Sequence, residues 1–511
     1  MVGRLSALLG FVIGAVSLLE PVPASATQAD LFGPSTRSVS MAGSGTALED
    51  GAAALTLNSG VLGLVERDFF GVGYLGARVD LSAVVGVRRL DGQTGPMPQV
   101  TAQPHVISIE LVKTITPWVR AGVHVGLPLP WIYFHETKDP WVPYSMRWQN
   151  RFARGLGTAG LSVRIPVRGV PRVGGVLLDD TLQGGLWIGA SVSLRPRGVI
   201  NVELDITGLE SEDDEPAQVS AVLNDVDLAA KYVLRPQVAL LADFGMVHPS
   251  LDGLRLGLSW APASSTDISP IRLDVEVLDL ENVNAVFSLV ELIRAEVFLS
   301  LTDFYDPHQV RISVAWDRPR LALTADVQIN LWSQLSASYG RVLDGEDGEA
   351  GKLVIDLTFN DEPEEYSAIG GRTVDPAQFR DTVDVAVGAE LRPPGWSLPN
   401  HPGQLELAVR LGGKYQMGAA RAVDGPSGVL DGDTVGGAVG LGLSLPLREA
   451  AIFSGPVTVD WGLQVLRLLP VELPKTDEGL AGLQMPVAYD EGARWPGGWV
   501  IASGASVGLA F

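Results

Sequence analysis

Segment after segment of this chain alternates with a period of two. From Thr382 to Arg392, Val383, Val385, Val387, Ala389 and Leu391 alternate with Thr382, Asp384, Ala386, Gly388, Glu390 and Arg392. That is the side-chain period of a β-strand with one apolar face and one polar or small face. Leu254, Leu256, Leu258 and Trp260 alternate in the same way with Arg255, Gly257 and Ser259, and Ile271, Leu273, Val275 and Val277 with Arg272, Asp274 and Glu276. Residues 321–331, 353–359, 405–411 and 457–465 repeat the pattern, separated by Gly, Pro, Asp or Asn clusters. The expectation is a many-stranded antiparallel all-β fold.

Composition narrows the class. Lys+Arg 37 against Asp+Glu 59 leaves a net charge of −22 with no basic stripe, so the electrostatic footprint of a nucleic-acid binder is missing. Charged residues make up 19%, below the ~25% usual for soluble domains. With no cysteine, disulfides, thiolate metal sites and cysteine nucleophiles are excluded. Residues 1–26 read as a secretory signal peptide: Arg4, an apolar run from Leu5 to Leu19, then Ala24-Ser25-Ala26 before the expected cleavage. Beyond it, no run of 18 or more apolar residues suits a membrane helix.

Alternation alone suits either a soluble sandwich or a membrane barrel. Aromatic placement favours the barrel: Trp118, Trp131, Tyr133, Phe134, Trp141, Tyr144 and Trp148 crowd one stretch, as expected of a strand end and loop at a headgroup belt. In the last segment Trp499, Ile501, Val507, Leu509 and Phe511 share one parity. A terminal Phe511 resembles the signature of bacterial outer-membrane barrels. Two pieces read differently: residues 27–66 are rich in small residues and suit close packing, and Asn284–Arg294 has the spacing of a short loop helix. Residues 187–204 read as interrupted around Arg195-Pro196-Arg197, either as a split or as one bulged or bent strand.

The stretch Asp30-Leu31-Phe32-Gly33-Pro34-Ser35-Thr36-Arg37-Ser38, with Met41-Ala42-Gly43-Ser44-Gly45-Thr46-Ala47 and Glu49-Asp50-Gly51-Ala52-Ala53, resembles the N-terminal hatch of the FadL/TodX-type outer-membrane transporters of long-chain fatty acids and hydrocarbons. Further on, Asn330-Leu331-Trp332-Ser333, Phe379-Arg380-Asp381-Thr382 with Gly388-Ala389-Glu390-Leu391-Arg392, and Leu430-Asp431-Gly432-Asp433 resemble later family motifs in the same order. The resemblance implies an antiparallel transmembrane β-barrel of about 14 strands at residues 67–511, with a hatch at 27–66 plugging the lumen. Gly43, Gly45, Asp50 and Asn58 are the hatch residues it singles out. The family's Asn-Pro-Ala is replaced here by Asn58-Ser59-Gly60, a flexible pair in place of a rigid elbow.

The implied function is passive passage of long-chain fatty acids or similar hydrophobic compounds, with hatch gating and lateral release into the bilayer. The implied partners are that hydrophobic small molecule, outer-membrane lipid and lipopolysaccharide, and the barrel-assembly machinery, for a monomer. No cofactor or metal is called for. Arg120, Arg255, Arg272 and Lys231 are candidate cations for a substrate carboxylate, though a lumen-wall charge paired with Asp or Glu is the simpler reading of each. Catalytic signals are weak: Gly504-Ala505-Ser506-Val507-Gly508 has the nucleophile-elbow pattern but lies in an alternating strand, and the six histidines have no ligand spacing. The acidic runs 210–215, 344–349 and 361–365 read as solvated loops. The rival readings are a general porin and a structural or adhesive barrel.

Overall fold

The computed structural model describes residues 32–49, 51–65, 67–88, 94–97, 103–129, 156–165, 185–209, 218–278, 290–334, 353–359, 362–369, 380–397, 404–419, 432–446, 455–472 and 488–511. The expected signal peptide, Asp50, the aromatics of 131–148 and the acidic runs 210–215 and 344–349 lie outside them. Fourteen strands form the wall: β1 Phe69–Leu81, β2 His105–Thr116, β3 Val119–Leu129, β4 Leu156–Ile165, β5 Leu186–Leu209, β6 Gln218–Asp243, β7 Leu254–Ala261, β8 His308–Arg318, β9 Leu321–Leu331, β10 Thr382–Leu391, β11 Gln404–Gln416, β12 Thr434–Pro446, β13 Pro456–Leu468 and β14 Gly498–Ala510. Each pairs antiparallel with the next, and β14 closes on β1 in a ladder from Phe69 opposite Ala510 to Leu81 opposite Gly498. Closure leaves the wall no unpaired edge, the condition for crossing a bilayer with strands.

The faces are inside-out relative to a soluble barrel. On β10, Val383, Val385 and Val387 (52% exposed) face outward while Thr382 and Glu390 are buried. On β13, Val459 and Trp461 are outside and Gln464 is fully buried. Outward side chains form continuous cross-strand contacts: Leu258 lies opposite Ile312, Leu256 opposite Val314, Leu441 opposite Trp461, and Val72 opposite Val507. Water would not tolerate such a girdle, whereas hydrocarbon does. Along β1 and β2 the band is bounded by two charge pairs, Lys113 with Asp68 and Arg78 with Asp80 (3.6 Å). The ten residue-to-residue steps from Asp68 to Arg78, at ~3.3 Å each on a strand tilted by ~40°, span about 25 Å, the height of an outer-membrane hydrocarbon layer. No helix among the described residues is long and apolar enough to cross a membrane.

The two rims differ. β2 turns into β3 through Pro117 and Trp118, and β8 into β9 through Pro319 and Arg320. At the other rim, the connections after β1, β7, β9 and β13 carry their own strands. Ser264–Leu278 and Val290–Asp306 form a hairpin that joins Leu353–Phe359 and Glu362–Ile369 in a four-stranded sheet. Val84–Arg88, Thr94–Met97, Val471–Glu472 and Ala488–Trp495 form another. These strands stand apart from the fourteen of the wall.

Several expectations are corrected. The helix read from Asn284–Arg294 does not form over 290–294, which belong to a strand; its backbone groups are satisfied by partners on both sides, where spacing alone sees only a helical stripe. The break at Arg195-Pro196-Arg197 is absent: β5 runs through, and its irregularity falls between Glu203 and Leu204. Pro196 lies beyond Leu194, the last β5 residue paired to β4, so its missing N–H costs no ladder bond on that side. Of the aromatic stretch, Trp118 sits at the short-turn rim and the rest lies outside the described residues. Further aromatics of the belt come from separate strands, with Arg467 over Trp499 (5.1 Å) and Arg318 over Trp316 (5.6 Å). Residues 362–365 of the third acidic run are strand rather than loop.

Candidate functional site

Residues 32–49 and 51–65 lie inside the barrel. They form a short helix α1 (Thr36–Ser40), a second, α2 (Ala54–Leu57), and a 3₁₀ turn over Ser59–Leu64, almost wholly buried. So irregular a segment leaves many backbone groups unpaired, and the inward polar side chains of the wall satisfy them. Glu110 of β2 accepts from the Ala53 N–H (3.0 Å), and Asp326 of β9 from the N–H groups of Gly45 (2.7 Å) and Thr46 (3.3 Å). Ser191 of β5 donates to the Leu55 carbonyl (2.9 Å), Ser259 of β7 to that of Leu57 (2.7 Å), and Ser162 of β4 to that of Gly60 (3.0 Å). Arg120 of β3 donates to the Val65 carbonyl (2.9 Å).

The strongest tie is electrostatic. Arg37 of α1, 7% exposed, reaches Glu390 of β10, 2% exposed, with two bonds of 3.1 and 3.0 Å, and donates to the Leu48 carbonyl (2.7 Å). Glu390 also accepts from Arg410 (2.6 Å) and Arg392 (2.6 Å). The chain of charges continues from Arg410 to Asp460, from Arg392 to Asp317 (2.8 Å), and from Arg255 to Asp317 (3.2 Å) and Asp243 (3.2 Å). Four guanidiniums thus meet four carboxylates, a balance that removal of any one member breaks.

Room for the segment comes from inward-facing glycines. A Cβ at Gly412 would overlap the Met41 backbone, one at Gly440 the Ser40 side chain, and one at Gly189 the Gly60 nitrogen. At Gly160 it would lie 2.8 Å from Leu55, and at Gly257 2.8 Å from the Asn58 amide. Several pair directly across strands: Gly122 with Gly160, Gly388 with Gly412, and Gly440 with Gly462. Gly189→Val is therefore expected to weaken docking by at least ~1–3 kcal/mol, because the new side chain meets backbone. Limited proteolysis in detergent checks this: cleavage within 32–65 should accelerate while the barrel stays folded.

Of the residues singled out from sequence, Gly45 (φ +94°) is the one whose N–H meets the wall at Asp326. Gly43 (φ +82°) bonds to the Ser38 carbonyl (2.8 Å) and faces open space, with no atom within 4 Å of a notional Cβ. Asn58 caps the 3₁₀ turn by accepting from the Gly60 N–H (2.9 Å) and donates to the Leu240 carbonyl (3.1 Å). Asn58-Ser59-Gly60 is thus a capped turn against β6. Next to Gly43, Ala42 holds φ +58° while fully buried, a left-handed conformation that costs an alanine roughly 1–2 kcal/mol. Ala42→Gly should raise the unfolding free energy by about 1 kcal/mol in a urea titration.

The later motifs, apart from Gly388–Arg392 at the opposite end of β10, converge at the long-loop rim. Asn330 donates to Thr382 (3.1 Å) and Asp384 (3.1 Å), Ser333 to Asp381 (2.7 Å), and Arg380 to Asp433 (2.9 Å). Among the candidate cations, Arg255 is ion-paired, Arg120 is spent on backbone carbonyls, and the side chains of Arg272 and Lys231 lie outside the described residues. Ser506 sits within continuous β14, where no strand-to-helix elbow forms. Sequence reading passed over the Arg37–Glu390–Arg410 cluster, Asp326 and the wall glycines. The available signal was parity: each wall residue falls on the polar phase of an alternating strand.

No protein-family model matches this chain, and no curated protein matches it. Among solved structures it is similar to a FadL homologue from Pseudomonas aeruginosa at 12% identity, covering 96% of this chain and 98% of that one, with a TM-score of 0.48. It is also similar to the toluene transporter TbuX of Ralstonia pickettii (14% identity, 94% and 99% covered, TM-score 0.42) and to TodX of P. putida (13%, 94% and 99%, 0.43). At such identities these likenesses carry no residue-to-residue correspondence.

Proposed function

We propose that this chain is a passive outer-membrane transporter of long-chain fatty acids or similar hydrophobic compounds, a barrel at 67–511 gated by a hatch at 27–66. The observation that carries the reading is the inside-out barrel whose own N-terminal segment lies in the lumen, tied to the wall from β2 to β10. An open porin for polar solutes has no use for such a segment. A structural or adhesive barrel has no use for a segment held by bonds that can be exchanged one by one.

A greasy cargo supplies its own driving force. At ~0.8 kcal/mol per CH₂, a chain of about 16 carbons gains roughly 12 kcal/mol on leaving water, before ordering costs. Displacement of the segment and sideways exit between strands into the bilayer then need neither nucleotide nor metal. Gly43 and Gly45, with positive φ, are the positions where the hatch backbone turns, and Asn58 is its anchor on β6. The protein would act as a monomer among outer-membrane lipid and lipopolysaccharide, inserted by the barrel-assembly machinery. The test is uptake of labelled oleate and of labelled hexadecanol by vesicles containing the purified protein; uptake of both no greater than by empty vesicles ends the transport reading.

A further inference from the structure

Between the N-terminal segment and the wall, beside Gly43, lies a pocket reached by Arg311 of β8, Asp326 of β9, Asp384 of β10, and Lys414 and Gln416 of β11. Its formal charges cancel, two cations against two carboxylates. The donors are already engaged: Arg311 donates to Thr46 (3.3 Å) and to Gln328, and the Gln416 amide donates to Asp384 (3.4 Å). Acceptors are not. Asp326, 4% exposed, spends Oδ2 on the Gly45 and Thr46 N–H groups, while its Oδ1 is buried with no partner, and the same holds for Gln416 Oε1. Gly43 leaves the approach to this patch open.

From this imbalance we infer that the pocket holds a neutral, hydrogen-bond-donating head group, a hydroxyl or primary amide, on an otherwise apolar molecule, and disfavours a carboxylate. A buried acceptor without a donor is costly, and a hydroxyl or amide N–H relieves that cost. An ionised carboxylate brings only acceptors and adds negative charge to a patch whose cations are matched already. The inference rests on the transporter reading and narrows its substrate class.

The experiment compares binding of 1-dodecanol, dodecanoate and dodecane to the full-length protein in nanodiscs by native mass spectrometry, alongside Asp326→Leu and Gln416→Leu. Dodecanol is expected to bind about tenfold tighter than dodecanoate, the worth of one satisfied buried hydrogen bond. Either substitution should reduce that preference to about threefold or less. Dodecanoate binding as tightly as dodecanol, or a preference unchanged in both folded variants, overturns the inference and leaves the transporter reading standing. Binding of none of the three probes overturns both.

Discussion

Deletion of residues 27–66 is expected to convert a closed barrel into an aqueous pore, raising liposome swelling in small sugars by roughly tenfold or more. A fourteen-stranded wall encloses a lumen that its own side chains cannot fill, and here the inward positions are further shortened to glycine at Gly189, Gly412 and Gly440. With the segment gone, the serines and carboxylates that bonded its backbone would be hydrated instead, so the lumen should fill with water. Heat-modifiable migration on gels reports whether the shortened barrel still folds. A folded deletion variant no leakier than the intact protein would show that the segment does not seal the lumen, and the gated-transporter reading would fail with it.

The second large effect is expected at Glu390. Glu390→Ala leaves Arg37, Arg392 and Arg410 facing one another in a buried site with one carboxylate removed, a loss of about 3–5 kcal/mol for a broken buried pair. Arg37→Ala should cost less, about 1–3 kcal/mol, since Glu390 keeps two other guanidiniums. The double variant should recover part of the Glu390→Ala loss because one of the stranded cations goes with it. Urea unfolding from lipid vesicles measures all three, and protease access to residues 32–65 separates loosening of the segment from damage to the wall. If Glu390→Ala costs less than about 1 kcal/mol, the cluster is not what holds the segment.

Some of this architecture was legible residue by residue. Val383, Val385 and Val387 declare a strand and its greasy face, because a period of two survives in any β-strand whatever surrounds it. The order of the small-residue motif, the Asn-Leu-Trp-Ser strand end and the Gly-Ala-Glu strand pointed to one family-like layout. Reading failed where a local pattern competes with pairing. Val290–Arg294 has a helical stripe yet lies in a ladder, and Pro196 resembles a breaker yet sits where one edge of β5 is unpaired.

What the amino-acid order settled alone is which face of each strand is apolar, since alternation is a local property, and that many such strands exist. Which way those faces point, and what meets what, was decided only by closure of the barrel. Arg37 and Glu390 lie 353 positions apart and become partners because closure of the wall around α1 brings Glu390 within reach of the Arg37 side chain. The glycines at 189, 412 and 440 look like unremarkable small residues in their own strands. They become a cradle only when closure stacks them around one segment, because sequence spacing carries no information about the angle at which distant strands face the same axis.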